Sequence, residues 1–207
     1  MSVGGTGTAA ARRCRGFNEA VLDRVLASDD VTTVILGAHW TLYATGTRYG
    51  READGPVVRL REHEGSALPS AGTTNEAVFN AALERTVAAL SRAGKEVVIL
   101  GPVPEVGLPV PWTLALAAWH GRDVDIRPGR ADFDERNRIA VSTLAGLGER
   151  GLATVVFPHL DLCEGEEGRC RVESGGRTLY TDDNHLTRRG AGLLARTLEG
   201  VLRQPPH

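Results

Sequence analysis

An aspartate and a histidine stand three positions apart near the end of the chain, at Asp182 and His185. In a tight turn this spacing lets the carboxylate accept a hydrogen bond from the Nδ1–H of the imidazole, which fixes the tautomer and leaves Nε2 free as a general base. Asp, Asn and Thr also cluster where helices begin, because their side chains cap free backbone N–H groups. The sequence therefore predicts a general base with its orienting carboxylate. Helix capping is the alternative, and Asp183 is interpreted only as a capping neighbour.

A second polar segment, with His159 and Asp161, directly follows a predicted strand. It could join Asp182 and His185 in a metal site, or its polar groups could cap the end of that strand. No second His or Cys stands at ligand spacing on a helix, and the sequence has no phosphate-loop or dinucleotide-binding pattern. We therefore expect neither a metal ion nor another cofactor.

Cys163 and Cys170 enclose the hydrophilic stretch Glu-Gly-Glu-Glu-Gly-Arg. The two thiols could be zinc ligands or could close a small disulfide loop. Because the intervening residues suit an exposed bridged turn, the sequence favours the disulfide and, with it, an oxidising compartment. The third cysteine, Cys14, stands alone near the start of the chain.

Gly37, His39 and Trp40 come immediately after the first predicted strand. One interpretation makes this segment a substrate-facing wall or a donor to an oxyanion. The other makes Trp40 a ring that packs over the edge of the sheet. The residue types alone leave both interpretations open.

Composition limits the class of protein. The 207 residues include 24 Lys and Arg against 26 Asp and Glu, a net charge of −2, which argues against a nucleic-acid binder that depends on phosphate neutralisation. No apolar stretch approaches the ~20 residues that span a bilayer, and the first thirteen residues lack the apolar core of a signal peptide. We expect a disordered start over residues 1–13 and one globular domain over residues 14–207.

Short apolar stretches alternate with segments of helical spacing. Buried strands are predicted at residues 31–36, 96–100 and 153–157. Helices are predicted to begin near Phe17, at the capping box Thr73–Glu76, and near Trp112, Asp132 and Leu186. A Gly-Gly turn within residues 170–180 predicts a hairpin.

This alternation is typical of the α/β class, with a parallel sheet that is covered by helices on both faces. In such folds the functional site lies beyond the carboxyl ends of the strands. We therefore expect residues 37–45, 101–107 and 158–187 to form it.

Several segments together resemble one protein family, the SGNH hydrolase-like domain at the C-terminus of the membrane-bound acyltransferase-3 family, which O-acylates bacterial surface glycans. The resemblance covers residues 14–203, and its most specific block is the last one. The matching segments are Cys-Arg-Gly-Phe-Asn-Glu-Ala-Val-Leu at 14–22, Thr-Val-Ile-Leu-Gly-Ala-His-Trp at 33–40, Val-Val-Ile-Leu-Gly-Pro-Val-Pro at 97–104, Asp-Leu-Cys at 161–163, and residues 170–191 with Tyr-Thr-Asp-Asp-Asn-His-Leu-Thr-Arg-Arg-Gly-Ala.

The resemblance implies a flavodoxin-like, three-layer α/β fold in which Asp182 and His185 serve a Ser nucleophile. It also implies that the domain is periplasmic or otherwise outside the cytoplasmic membrane. An upstream membrane acyltransferase domain would tether it there. The partners would be an acyl donor and a surface glycan acceptor, with no nucleic acid involved. The expected reaction is O-acylation, or O-acetylation, of cell-surface polysaccharide such as lipopolysaccharide.

This sequence departs from the family pattern at the nucleophile. No Gly-Asp-Ser occurs, and only Ser2 and Ser28 precede the first predicted strand. The usual Gly-x-Asn-Asp is replaced by Gly-Ala-His-Trp at residues 37–40. We therefore expect a domain without its first strands and nucleophile, in which Cys14 has lost a partner.

Two classes of function fit these features. In the first, the chain is part of an O-acyltransferase or a carbohydrate esterase and is inactive alone. In the second, it is a non-catalytic module that binds glycan or docks on a membrane partner.

Overall fold

The computed structural model of the protein describes residues 2–3, 9–61, 74–164 and 168–203. A 3₁₀ turn spans Gly50–Glu52. The α-helices within these ranges are α1 (Ala9–Leu26), α2 (Trp40–Thr45), α3 (Asn75–Arg92), α4 (Val110–Trp119), α5 (Arg130–Glu149), α6 (His159–Leu162) and α7 (Arg188–Leu202).

The strands of the described residues are short. They form a three-stranded sheet in the order β2-β4-β5 and two separate pairs, β1-β3 and β6-β7. β2 and β4 run parallel, which confirms the predicted α/β class. The strands are β1 (Ser2–Val3), β2 (Thr33–Gly37), β3 (Leu60–Arg61), β4 (Glu96–Leu100), β5 (Thr154–Val156), β6 (Glu173–Ser174) and β7 (Arg177–Thr178).

The three strands of the main sheet differ in burial. β4 is the central strand, and its Val98 and Ile99 side chains are fully buried. β2 lies at the edge of this sheet, and Ile35 remains 48% exposed. The prediction of a buried first strand is therefore wrong: no residue of β2 is fully buried, and no segment of the described residues covers the Ile35 side chain.

Local signals set the helix boundaries. Thr74, and not Thr73, is the N-cap of α3, and its side chain accepts a hydrogen bond from the backbone N–H of Ala77. Thr73 itself lies outside the described residues. Helix α1 begins at Ala9, within the stretch that the sequence predicts to be disordered, while residues 1 and 4–8 of that stretch are not described.

The Gly-Gly turn forms the predicted hairpin. β6 and β7 pair antiparallel, with Ser174 opposite Arg177. Between them Gly175 and Gly176 have φ of 58° and 67°, a region that glycine adopts without steric cost.

The chain divides into two compact units. Unit 1 comprises Met1–Thr47, Gly55–Leu100 and Ile139–Val155. Unit 2 comprises Arg48–Asp54, Gly101–Arg138 and Val156–His207. Unit 2 has its own hydrophobic core, formed by Val110, Leu162, Val172, Leu179, Tyr180 and Leu194.

Cys163 and Cys170 lie side by side in unit 2. Their Sγ atoms are 2.04 Å apart, at bonding distance, and the two residues form an isolated antiparallel bridge. The tip of the loop between them, residues 165–167, is outside the described residues. Cys14 is exposed on α1. None of the helices in the described ranges combines the length and the apolar character needed to cross a membrane.

Candidate functional site

Asp182 and His185 are joined in one tight turn of unit 2. The Nδ1 atom of His185 lies 2.7 Å from Oδ2 of Asp182. The other carboxylate oxygen, Oδ1, accepts hydrogen bonds from the backbone N–H groups of Asn184 and His185, at 2.9 and 2.7 Å. The His185 side chain is 77% exposed, so a reacting hydroxyl could reach the ring.

The environment of Asp182 favours its ionised form. Burial by itself raises the pKa of this carboxyl, but the hydrogen bonds from the Asn184 and His185 backbone and from the His185 ring outweigh burial. They hold the pKa of Asp182 below its ordinary value. An ionised carboxylate at Nδ1 favours the tautomer with the proton on Nδ1, which leaves Nε2 as an acceptor.

The turn is closed by its own backbone. The carbonyl oxygen of His185 accepts hydrogen bonds from both the backbone N–H and the hydroxyl of Thr181. Thr187 is the N-cap of α7 and accepts a hydrogen bond from the Gly190 N–H at 3.1 Å. Capping of the last helix thus belongs to Thr187, and the interpretation of Asp183 as a capping residue is wrong.

A glycine is required where α7 meets this turn. A Cβ atom at Gly190 would lie 2.2 Å from the carbonyl oxygen of Leu179, so any other residue would force the helix away. This close contact explains why a glycine stands at position 190, shortly after the Asp–His motif. It also holds the first turn of α7 against Leu179, which follows β7 and leads into the Asp–His turn.

The loop before α4 also holds the turn in place. The backbone N–H of Val106 donates to the carbonyl of Asp183 at 2.8 Å, and that of Val110 donates to the carbonyl of Asp182 at 3.1 Å. The buried hydroxyl of Tyr180 donates to the carbonyl of Pro104 at 2.9 Å. Residues 101–107 and 158–187, which the sequence predicts to share a site, therefore meet within unit 2.

A largely buried ion pair joins this loop to α5. Nε of Arg136 is 2.9 Å from Oε2 of Glu105, and the two side chains are only 12% and 6% exposed. The Arg136 guanidinium also lies over the ring of Tyr49, 5.6 Å from its centroid. Sequence reasoning did not single out these three residues. The one available signal was the position of Glu105 between two prolines and a glycine after a buried strand.

Asp183 lies in an acidic environment. Burial is the main cause that raises the pKa of its carboxyl above the ordinary value. The carboxylates of Asp182, Glu52 and Glu105 add to this effect in the same direction. The pKa values of Asp182 and Asp183, adjacent in sequence, are thus shifted in opposite directions, down for Asp182 and up for Asp183.

His159 is buried in unit 2, where its ring contacts two aromatic rings in tilted orientations. Its ring centroid lies 4.4 Å from that of Phe133 and 5.6 Å from that of Phe157. Asp161 accepts a hydrogen bond from the Thr197 hydroxyl at 2.9 Å. In the described part of the chain no three His, Cys, Asp or Glu side chains come together in an arrangement that could hold a metal ion.

Gly37, His39 and Trp40 belong to unit 1. Trp40 is 3% exposed, its indole N–H donates to the carbonyl of Leu100, and its ring packs near that of Phe79. Gly37 is exposed, and a Cβ placed there would meet no atom within 4 Å. The role of these residues as an oxyanion donor or substrate wall stays a prediction.

The serines that the structure describes lie in helices or strands or directly beside one. Ser91 lies in α3 and Ser142 in α5, where its hydroxyl donates to the Ile139 carbonyl. Ser174 lies in β6, and Ser28 follows the end of α1. Ser66 and Ser70 lie outside the described residues.

Comparison with known proteins identified a family and a related solved structure. The family model for SGNH domains that are fused to AT3 domains matches residues 2–200. The periplasmic domain of a lipopolysaccharide acetyltransferase from Salmonella ser. Paratyphi A is 16% identical in sequence, with a TM-score of 0.49. That match covers 65% of this chain and 54% of the other, so the chain spans about half the length of that structure. A search of curated proteins gave no match.

Proposed function

The chain belongs to the family of SGNH domains that are fused to AT3 domains, and from this membership we propose that it takes part in the O-acylation of a cell-surface polysaccharide. The acyl group in this proposal is acetyl. His185 is the general base of the transfer and Asp182 is the residue that orients it. Family membership supports the class of reaction, and the geometry of the turn supports the two roles.

One observation carries the assignment of roles. The Asp182 carboxylate bonds both the His185 ring, at 2.7 Å, and the His185 backbone N–H, also at 2.7 Å. The ring is therefore held by the residue that fixes its tautomer, while most of its surface faces solvent. This is the arrangement that a general base for a hydroxyl nucleophile needs.

The proposed chemistry uses a serine hydroxyl that these 207 residues do not supply in a Gly-Asp-Ser motif. Nε2 of His185 takes the hydroxyl proton as the serine oxygen attacks the carbonyl carbon of the acyl donor. The Asp182 carboxylate stabilises the imidazolium that results, and the proton then passes to the leaving group. In the second half of the reaction a glycan hydroxyl attacks the acyl-serine, its proton passes to Nε2, and the serine oxygen recovers a proton.

The cellular setting in this proposal is the extracytoplasmic side of a membrane, with the domain tethered by an acyltransferase domain. Fusion to AT3 domains in the family supports the tether. The pairing of Cys163 with Cys170 supports an oxidising compartment such as the periplasm.

The test is acylation of the glycan by the full-length parent protein that carries single substitutions, at matched expression. H185A should lower the rate by roughly 10²–10⁴, because it removes the base and with it the activated nucleophile. D182N should also lower the rate strongly, since an amide favours the wrong tautomer of His185.

The matched control is D183N. It makes the same chemical change one residue away, whereas the carboxyl bonded to the His185 ring is that of Asp182, and we expect a nearly unchanged rate. Normal acylation by H185A, or a larger loss with D183N than with D182N, would contradict the assignment.

A second candidate function is a non-catalytic module that binds acylated glycan or docks on a membrane partner. The observation that favours it is the missing Gly-Asp-Ser motif. The same assay separates the two functions, because a purely binding or docking role predicts that H185A acylates at the normal rate.

A further inference from the structure

Helix α4 (Val110–Trp119) is apolar on every side. Its sequence, Val-Pro-Trp-Thr-Leu-Ala-Leu-Ala-Ala-Trp, has no charged residue, and Thr113 is its only residue with a polar side-chain hydroxyl or amide. Val110 is fully buried in the core of unit 2, and Leu114 packs against that core. A helix of this composition is normally covered all round.

The opposite side of α4 is open to solvent. Trp112 is 66% exposed, Leu116 is 44% exposed and Trp119 is 85% exposed. Positions i, i+4 and i+7 lie on one face of a helix, so these three side chains form a continuous strip, and the two indoles are about 10 Å apart along the axis. We call this strip the tryptophan face.

Exposed apolar side chains of unit 2 are concentrated around this helix. Five of the seven large hydrophobic side chains of unit 2 that the structure shows as exposed lie between Leu108 and Val124; the other two are Leu160 and Leu202. Such a concentration marks a surface that meets an apolar partner, whereas single exposed residues need no explanation.

The charged residues next to the C-terminal end of α4 carry no excess of negative charge that would repel an anionic surface. The backbone N–H of Arg122 bonds the carbonyl of Ala117, which places this exposed residue at the helix end. Asp125 is bridged by Arg127 at 2.9 Å and by Arg169 at 3.5 Å. With Asp123, and with Glu164, whose charge acts on Arg127, three arginines stand against three carboxylates, so this group has no net charge.

We propose that the tryptophan face docks this domain on the surface of a phospholipid bilayer, with the two indole rings at the level of the lipid headgroups. Indole suits this boundary because its ring is apolar and its N–H can bond the headgroup region. A glycan can stack on an indole, but its hydroxyl groups also need hydrogen-bond partners, and besides the indole N–H groups the strip of Trp112, Leu116 and Trp119 has none.

The inference rests on the proposed function in one respect: a domain tethered to a membrane acyltransferase keeps a bilayer within reach. Docking would hold the Asp–His turn at a defined height above the membrane. Val110, in the first turn of α4, bonds the Asp182 carbonyl, so the helix that docks is directly linked to the turn that carries the base.

The experiment measures flotation of the 207-residue chain with vesicles of phosphatidylethanolamine and phosphatidylglycerol. We expect the wild-type chain to float with the vesicles, also in high salt, and its tryptophan emission to shift to shorter wavelength. W112A/W119A should lower the partition coefficient by roughly tenfold or more. Alanine preserves the helix, which far-UV circular dichroism checks. The matched control is L160A, which removes an exposed apolar side chain from α6 and should float like the wild type.

Three results would overturn the proposal. The first is a wild-type chain that does not float. The second is flotation that W112A/W119A leaves unchanged. The third is a dimer that W112A/W119A converts to a monomer without vesicle binding, which would make a second copy the occupant of the face. Vesicle binding requires no acyl donor, so failure here leaves the assignment of Asp182 and His185 untouched.

Discussion

His159 is a buried histidine whose neutral form the folded protein favours. It is 4% exposed, and within the described part of the chain its Nδ1 atom has no hydrogen-bond partner. Burial, and then the nearby Arg130, lower the pKa of His159 from 6.5 to about 4, while Asp134 acts weakly in the opposite direction. A proton on Nδ1 would create a buried donor and a buried charge in an aromatic pocket.

The sign and size of the effect follow from this pKa difference. Between pH 6.5 and pH 4 the unfolded chain binds a proton at position 159 that the folded protein excludes. The contribution of the neutral ring is therefore complete above pH 6.5 and is lost as the pH falls towards 4. The loss amounts to about 2 kcal/mol at pH 5 and about 3 kcal/mol at pH 4.

The variant that tests this prediction is H159F. It keeps an aromatic ring against Phe133 but has no group at position 159 that binds a proton. The free energy of unfolding is measured by chemical denaturation between about pH 7.5 and pH 4 for both proteins. The wild-type value should fall relative to that of H159F by about 2–3 kcal/mol over this range. L160A, a change without a titratable group at the adjacent exposed position, should keep the wild-type dependence on pH.

A constant difference between the wild type and H159F across the range would refute this reasoning. So would a titration of the His159 ring, followed by NMR, with a midpoint near the ordinary value for histidine. Either result would mean that the pocket admits water or a partner that stabilises the imidazolium.

Three further predictions concern the rest of the molecule. A non-reducing peptide map of protein from an oxidising compartment should show Cys163 linked to Cys170, and loss of the bond should cost about 2 kcal/mol; recovery of both thiols free would contradict it. The 207-residue chain should hydrolyse p-nitrophenyl acetate poorly or not at all, because a base without a positioned hydroxyl has no covalent route; robust turnover that S2A abolishes would show otherwise. R136M should destabilise the fold by about 3 kcal/mol in thermal or chemical denaturation, because it removes the cation from a buried ion pair; an unchanged midpoint would mean that the pair contributes nothing.

The sequence alone predicts those features that depend on neighbours in the chain. The central strand at residues 96–100 and the Gly-Gly hairpin are confirmed, because aliphatic runs and paired glycines determine local backbone conformation. The Asp182–His185 contact is of the same kind, because three positions in a tight turn bring the two side chains within hydrogen-bond reach.

Other features depend on which distant segments pack together. Glu105 and Arg136 are 31 positions apart, and their ion pair exists only because loop and helix meet in unit 2. His159, which looks in the sequence like a possible metal ligand, is buried between phenylalanines instead. The exposure of Ile35 on β2 likewise depends on which other segments of the chain lie over that side chain.

The tryptophan face shows the division most clearly. The apolar composition of α4 predicts a helix that other segments cover. The packing of Val110 and Leu114 into the core of unit 2 is what leaves Trp112 and Trp119 pointing outward. Spacing along the chain determines which side chains share a helix face, because helical geometry is local. Which face is buried is decided by the tertiary structure, because burial depends on the surfaces that other segments of the chain present.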